Sequence, residues 1–200
     1  MQDFGITITE KMKKRADEEA RKRDEYIKHH FEVDHLSYFE RDRIGFLGEF
    51  ACCELLGIDW EDNIRDNYLS IDSGDLYLGK LVFDVKTETI PSSYFKEVIS
   101  RQINDDLKYG RRLIMENQVP LLRKYDGVIF GAFERDYYDK WYSIGFIGTE
   151  YILSHYQIVK KAPYGAIYPQ AAMPIKTSEL GQMNRLIHYA NRLKLLKEKS

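Results

Sequence analysis

The sequence predicts an α/β domain with a mixed central sheet and a helical extension at each end. Three observations carry this: apolar residues at helical spacing from Arg41 to Leu56, a hairpin pattern from Asp75 to Thr89, and an all-apolar strand from Asp126 to Phe133. The chain has 200 residues, 44% of them hydrophobic, enough for one domain with a substantial core. Its 10 Phe, 15 Tyr and 2 Trp carry more apolar surface than a disordered chain leaves in water, which outweighs the 31% charged fraction.

In chain order, Glu10 to His30 consists of helix formers of both charges, with Thr9 as a candidate N-cap. A solvated helical extension over residues 10–35 is expected. A nucleic-acid arm is the sharper alternative, weakened by the interspersed acids. The next helix has Ile44, Leu47, Gly48, Ala51 and Leu55 on its apolar line and Gly57 as its stop, with Glu49 at the rim of that line. Asp72 to Asp75 is turn composition, and DLYL and LVFDVKTET then read as two strands around Gly79-Lys80. Pro91, Ser92 and Ser93 open a helix with Phe95, Ile99, Ile103, Leu107 and Ile114 at spacings near four. Asp126 to Phe133 is expected to be a central strand, paired with Trp141 to Ile147 across a turn near Asp139 and Lys140. The core thus spans residues 41–150. Ser178 to Lys199 reads as an amphipathic helix capped by Ser178, either docked on the domain or used for a homodimer.

Composition excludes several classes. With 30 Lys+Arg against 32 Asp+Glu, the formal net charge is -2, so a polyanion partner must be met by a local patch. Cys52 and Cys53 are adjacent, which suits small core residues and argues against a disulfide-built secreted domain. No run approaches the roughly 20 apolar residues of a membrane span, and the first ten residues lack the pattern of a secretory leader. A cytoplasmic protein with no membrane association is expected. No Walker-type phosphate loop is present, so no nucleotide cofactor is expected.

The chemistry concentrates in LVFDVK. Strand alternation places Asp84 and Lys86 together on one face, and charges on an otherwise apolar strand cost desolvation energy unless paired or metal-bound. A same-strand salt bridge is the plain explanation. Asp75, nine residues upstream, folds back beside Asp84 across the hairpin, and two carboxylates one strand apart repel unless a divalent cation lies between them. Oxygen ligation suits Mg2+ or Mn2+, whose bound water is a nucleophile that Lys86 can orient or deprotonate.

Gly74-Asp75, then Asp84-Val85-Lys86 after a short hairpin, with Glu49 on the preceding helix, resembles the PD-(D/E)XK nuclease superfamily. RIGFLGEFACCELLG resembles the first core helix of archaeal Holliday-junction resolvases and related restriction-like nucleases. The resemblance covers roughly Arg43 to Phe133. It implies a restriction-endonuclease-like αβββαβ core, with Asp75, Asp84, Lys86 and Glu49 as catalytic residues. It also implies Mg2+ or Mn2+ held by Asp75, Asp84, the Val85 carbonyl and Glu49, and DNA as substrate, cut internally. A non-catalytic nucleic-acid-binding or assembly protein on the same scaffold is the alternative. Gly74 stands where the family's named proline stands. Gln102 and Tyr109 lack the spacing of the glutamine and tyrosine motif of resecting members, though Gln102 remains a possible support from the following helix. Glu88 shares the Asp84–Lys86 face and is an alternative ligand to Glu49.

Other features are weaker. VDHL at Val33 to Leu36, near His29 and His30, begins like the ββα-metal nuclease motif, but the next histidine after His35 is His155. Lys108, Arg111, Arg112, Arg123 and Lys124 form the candidate nucleic-acid-binding patch, with an exposed solubilising cluster as the alternative. Tyr137, Tyr138, Trp141 and Tyr142 suit either base stacking or packing.

Overall fold

In a computed structural model the described residues are 4–24, 36–64 and 74–197. β1 (Gly5–Thr7) leads into α1 (Glu10–Asp24). Thr9 caps α1 as expected, its Oγ1 accepting the Met12 N–H at 3.2 Å. The helix is less solvated than its charge predicts. Met12, Ala16 and Ala20 form a buried stripe against α2 (Tyr38–Leu56), and short side chains at 16 and 20 permit close approach. Glu19, also buried, is paired with Arg15 and Lys22.

α2 starts three residues before the apolar spacing predicts, because Ser37 caps it reciprocally. The Ser37 hydroxyl accepts the Glu40 N–H at 3.2 Å, and the Glu40 carboxylate accepts the Ser37 N–H at 2.9 Å. These bonds hold the Glu40 carboxyl below its ordinary pKa. Gly57 ends the helix in the left-handed conformation, as expected.

β2 (Leu76–Leu78) and β3 (Leu81–Ile90) form the expected hairpin, with Gly79 at φ 66° in its turn. β5 (Gly127–Glu134) runs parallel to β3, and β6 (Tyr137–Gly148) returns antiparallel to β5. The reversal falls at Arg135 and Asp136, where Asp136 has φ 68°; Asp139 and Lys140 lie within β6. The mixed sheet has the order β1-β6-β5-β3-β2. Between α2 and the next helix the described residues contain two strands, one fewer than the αβββαβ order.

α3 (Ser92–Ile99) is shorter than predicted. Arg101 takes φ 56°, and Asn104 accepts the Asp106 N–H at 2.9 Å in a side-chain turn, so the chain leaves the helix. Ile103 is buried outside the helix, Leu107 is exposed, and Ile114 belongs to β4 (Arg111–Met115). β4 continues into a 3₁₀ helix, Glu116–Lys124. α4 (Thr149–His155) precedes β7 (Val159–Lys161) and β8 (Ile167–Lys176), which with β4 form a second sheet in the order β4-β8-β7. The sequence pattern gave no signal for this sheet, since Pro169, Pro174 and the Ala171-Ala172 pair interrupt strand-like alternation in β8.

Alternate side chains of β5 enter two cores. Ile129 and Phe133 pack with α1 and α2, whereas Val128, Phe130 and Ala132 pack with Phe95 and Val98 of α3 and Ile114 and Ile175 of the second sheet. α5 (Asn184–Lys197) docks on the first core through Met183, just before it, and Leu186 and Ala190. Its predicted cap is corrected: Ser178 lies in a 3₁₀ turn, Thr177–Glu179, and its hydroxyl donates to Asp105 at 2.5 Å.

Candidate active site at the edge of β3

β3 separates two kinds of side chain. Phe83 and Val85 are buried in the core beneath α2, while Asp84, Lys86 and Glu88 project from the opposite face. Register sets Asp84 beside Val128 and Lys86 beside Phe130 of β5. The Lys86 ammonium lies 2.8 Å from Asp84 Oδ2, and the two side chains are only 15% and 14% exposed. A pair this shielded from water is screened less by salt than a surface ion pair.

Asp75 reaches the same stretch of β3 from the hairpin's outer strand. Its N–H donates to the Phe83 carbonyl at 2.9 Å, and its carboxylate Oδ2 accepts the Val85 N–H at 2.8 Å. In an antiparallel pair the N–H and C=O of one residue point to the same side, so the Val85 carbonyl faces the edge where the Asp75 carboxylate lies. Asn63, after α2, donates from its side chain to the Asp75 carbonyl at 2.5 Å and fixes this turn. Sequence reasoning missed Asn63; the only signal was the turn-forming cluster Asp59, Glu61, Asp62 and Asn63.

Glu49 is 9% exposed on α2, which packs against the Phe83–Val85 face. The helix approaches β3 closely at Gly48, where a Cβ would lie 1.7 Å from Thr87 Oγ1. Glu49 therefore belongs to the element on the other side of the sheet from Asp84 and Lys86. Among the described residues no three His, Cys, Asp or Glu side chains form a metal-binding group. Asp75 accepts from the Val85 N–H and Asp84 pairs with Lys86, so both carboxylates lie along the same three residues of β3, and oxygen donors of this kind suit a hard divalent cation. Cys52 and Cys53 are buried, and burial, aided by the fields of Glu49 and Asp75, pushes both thiols well up in pKa. They are inert core residues.

Two readings on the β3 face are corrected. Glu88, the alternative ligand, is committed to Arg112, whose Nη1 lies 2.9 Å from its carboxylate. Burial pushes the Glu88 carboxyl up in pKa and the guanidinium opposes this. Arg112 is fully buried and also donates to the Tyr109 carbonyl, so it offers no surface to a phosphate. The reason is alternation: β4 sends Arg112 inward and Arg111 outward.

The remaining patch residues are dispersed. Lys108 is exposed in the loop after α3, above the Tyr109 ring, and Arg111 pairs with Asp106 at 2.7 Å. Arg123 and Lys124 are exposed at the end of the 3₁₀ helix. Gln102 is exposed in the same loop as Lys108, with its side chain near Ser100. Trp141 is fully buried and donates to Thr87 Oγ1 at 3.2 Å, and Tyr142 packs edge-on against Phe95, so packing is the role of both. Tyr138 packs on Phe133, leaving Tyr137 as the exposed ring of that group. Asp72, Ser73, His29, His30 and Val33 to His35 lie outside the described residues.

No helix among the described residues is long and apolar enough to cross a membrane. No family model matches the sequence, and neither a curated protein nor a solved structure matches the chain.

Proposed function

We propose that this protein is a metal-dependent nuclease that hydrolyses DNA phosphodiester bonds by internal cleavage, on a restriction-endonuclease-like core. The observation that carries the reading is that Asp75 binds the backbone of Val85, the residue between Asp84 and Lys86, which pair with each other. The succession of α2, the β2–β3 hairpin, α3 and a β5 parallel to β3 supports the fold assignment.

Asp75, Asp84 and the Val85 carbonyl would hold Mg2+ or Mn2+, while Glu49, on α2 across the sheet, stands apart from Asp84. A divalent cation would supply Lewis acidity and make a bound water more acidic. Asp84 holds Lys86 in place, and the ammonium orients the attacking water and offsets charge building on the phosphate oxygens. Asp75 is fixed at both ends, by its bond to Val85 and by Asn63, so its carboxylate needs little reorganisation.

The test is cleavage of supercoiled plasmid and of branched and linear labelled DNA with Mg2+, Mn2+ or EDTA, wild type against Asp84→Asn. Metal-dependent cutting that disappears in the variant supports the reading, and full activity in the variant rejects it. Mg2+-linked thermal stabilisation that Asp75→Asn removes is the companion result, because an asparagine keeps an oxygen for the Val85 N–H while losing the charge.

The second reading, a non-catalytic nucleic-acid-binding or assembly protein, is favoured by one observation: the Asp84–Lys86 pair is already satisfied without a metal. It predicts no cutting and no metal-linked stabilisation.

A further inference from the structure

The second sheet carries a cleft that the catalytic reading does not use. It encloses about 520 Å³ between α4, β7 and β8, a volume suited to a nucleotide-sized group. Its floor is the outer face of the sheet. β4 and β8 bury Arg112, Ile114, Met173 and Ile175 toward the central sheet, while Arg111, Pro174 and Lys176 line the cleft.

Charge and ring placement agree on the ligand. Arg111 and Lys176 are direct cross-strand partners whose like charges are offset by Asp106 and by Glu179, itself on the cleft wall, so both cations are held in place on the floor. The acids nearby are already engaged. Glu179 accepts from Tyr156 at 2.6 Å, Lys176 at 2.9 Å and Tyr151 at 3.3 Å, Asp106 pairs with Arg111, and Asp105 accepts from Ser178. Lys161, exposed on the rim, has no acidic partner among the described residues. Tyr151 and His155 stack at 4.0 Å with their planes 13° apart, and Tyr151 is 42% exposed, leaving ring surface open to the cleft. Cations along a concave surface with an exposed aromatic platform are the chemistry of single-stranded nucleic acid, whose bases are open for stacking.

We infer that this cleft binds a single-stranded segment of DNA, with Arg111, Lys161 and Lys176 meeting phosphates and the Tyr151–His155 stack meeting a base. The inference rests on the nuclease reading for its choice of DNA. It moves the nucleic-acid surface from the loop patch to the outer face of the second sheet, about one sheet spacing (~10 Å) from the face that bears Lys86. Arg111 and Arg112, adjacent on β4, link the two: one faces the cleft, the other holds Glu88 on the catalytic strand. The cleft thus acts on binding of a flanking strand, not on the bond being cut.

The experiment is fluorescence anisotropy of the full chain with labelled oligothymidine in EDTA, where binding is read without cleavage. Tyr151→Ala is expected to weaken binding about 5- to 150-fold, the range for one lost stacked base. Lys161→Glu should reduce the slope of log affinity against log salt by about 0.7 or more. Lys96→Glu, an exposed charge reversal on α3, should bind as wild type. Wild-type affinity and salt slope in both cleft variants would overturn the inference, as would tighter binding of a matched RNA or of duplex than of the single strand. Cleavage separates the two proposals. If wild type cuts DNA and the cleft variants retain both KM and affinity, the cleft fails alone; if nothing is cut but the cleft variants lose affinity, the nuclease reading fails alone.

Discussion

The two faces of β3 are built by opposite means. Toward α2, Phe83, Val85 and Thr87 are fitted by shape, down to the missing Cβ of Gly48. On the other face, Asp84, Lys86 and Glu88 are arranged by charge among apolar neighbours from β5. The same ten residues therefore support the fold with one side chain and place charged groups with the next. Substitutions on the first face should register in stability, and those on the second in activity, with Glu88 as the dividing case.

The sharpest way to separate the faces is Lys86→Ala: the proposed nuclease reading expects it to lower kcat for DNA cleavage by about 10²- to 10⁴-fold while far-UV circular dichroism stays native. A change of less than threefold would break the comparison. Glu88→Ala should behave as a fold mutation despite lying on the charged face, because it strands a fully buried guanidinium; a loss of about 3–5 kcal/mol in urea unfolding is expected. The double change Glu88→Leu with Arg112→Leu should recover most of that, since no unpaired charge remains. Gly48→Ala is the matching probe of the packed face. The added methyl meets Thr87 Oγ1, the acceptor of the Trp141 bond, and should cost about 1–3 kcal/mol with kcat retained in the folded fraction.

The smallest effect belongs to the outer network on the second sheet. Hydrogen bonds from Tyr156 and Lys176 hold the Glu179 carboxyl below its ordinary 4.5, so its stabilisation is present above that pH and is lost as pH falls through the lowered folded value. Wild type and Glu179→Gln should therefore converge in Tm as the pH is taken down through this range. A difference between them that stays constant below pH 4.5 would reject the assignment.

How much of this was legible in the sequence follows from which interactions are local. α2, its Gly57 stop, the β2–β3 hairpin and the buried β5 were readable because spacing and turn chemistry within a few residues dictate them. Asp84 and Lys86 share a face by the same local rule. α3 ends sooner than its spacing predicts because Ile103 and Ile114 reach one core by different routes, the first from a loop and the second from a strand, while their spacing imitates a helix. Arg112 is illegible for a related reason: its partner Glu88 is 24 residues away, and a charge looks solvated until that partner is known. The second sheet was invisible because β4 and β8, some 60 residues apart, find each other only through the tertiary fold.

The Asp75 carboxylate on the Val85 N–H has a consequence for self-association. β2 is a three-residue strand at the margin of its sheet, and exposed strand margins invite pairing with other chains. By filling the hydrogen-bonding position that a continuing strand would use, Asp75 places a negative charge where an incoming backbone would dock. Replacing it by alanine would remove the blockade together with the charge, whereas asparagine would keep the position occupied. Recombinant Asp75→Ala should thus be more prone than Asp75→Asn to form soluble aggregates, and the solubility of the two variants reports on the edge independently of any cut made in DNA.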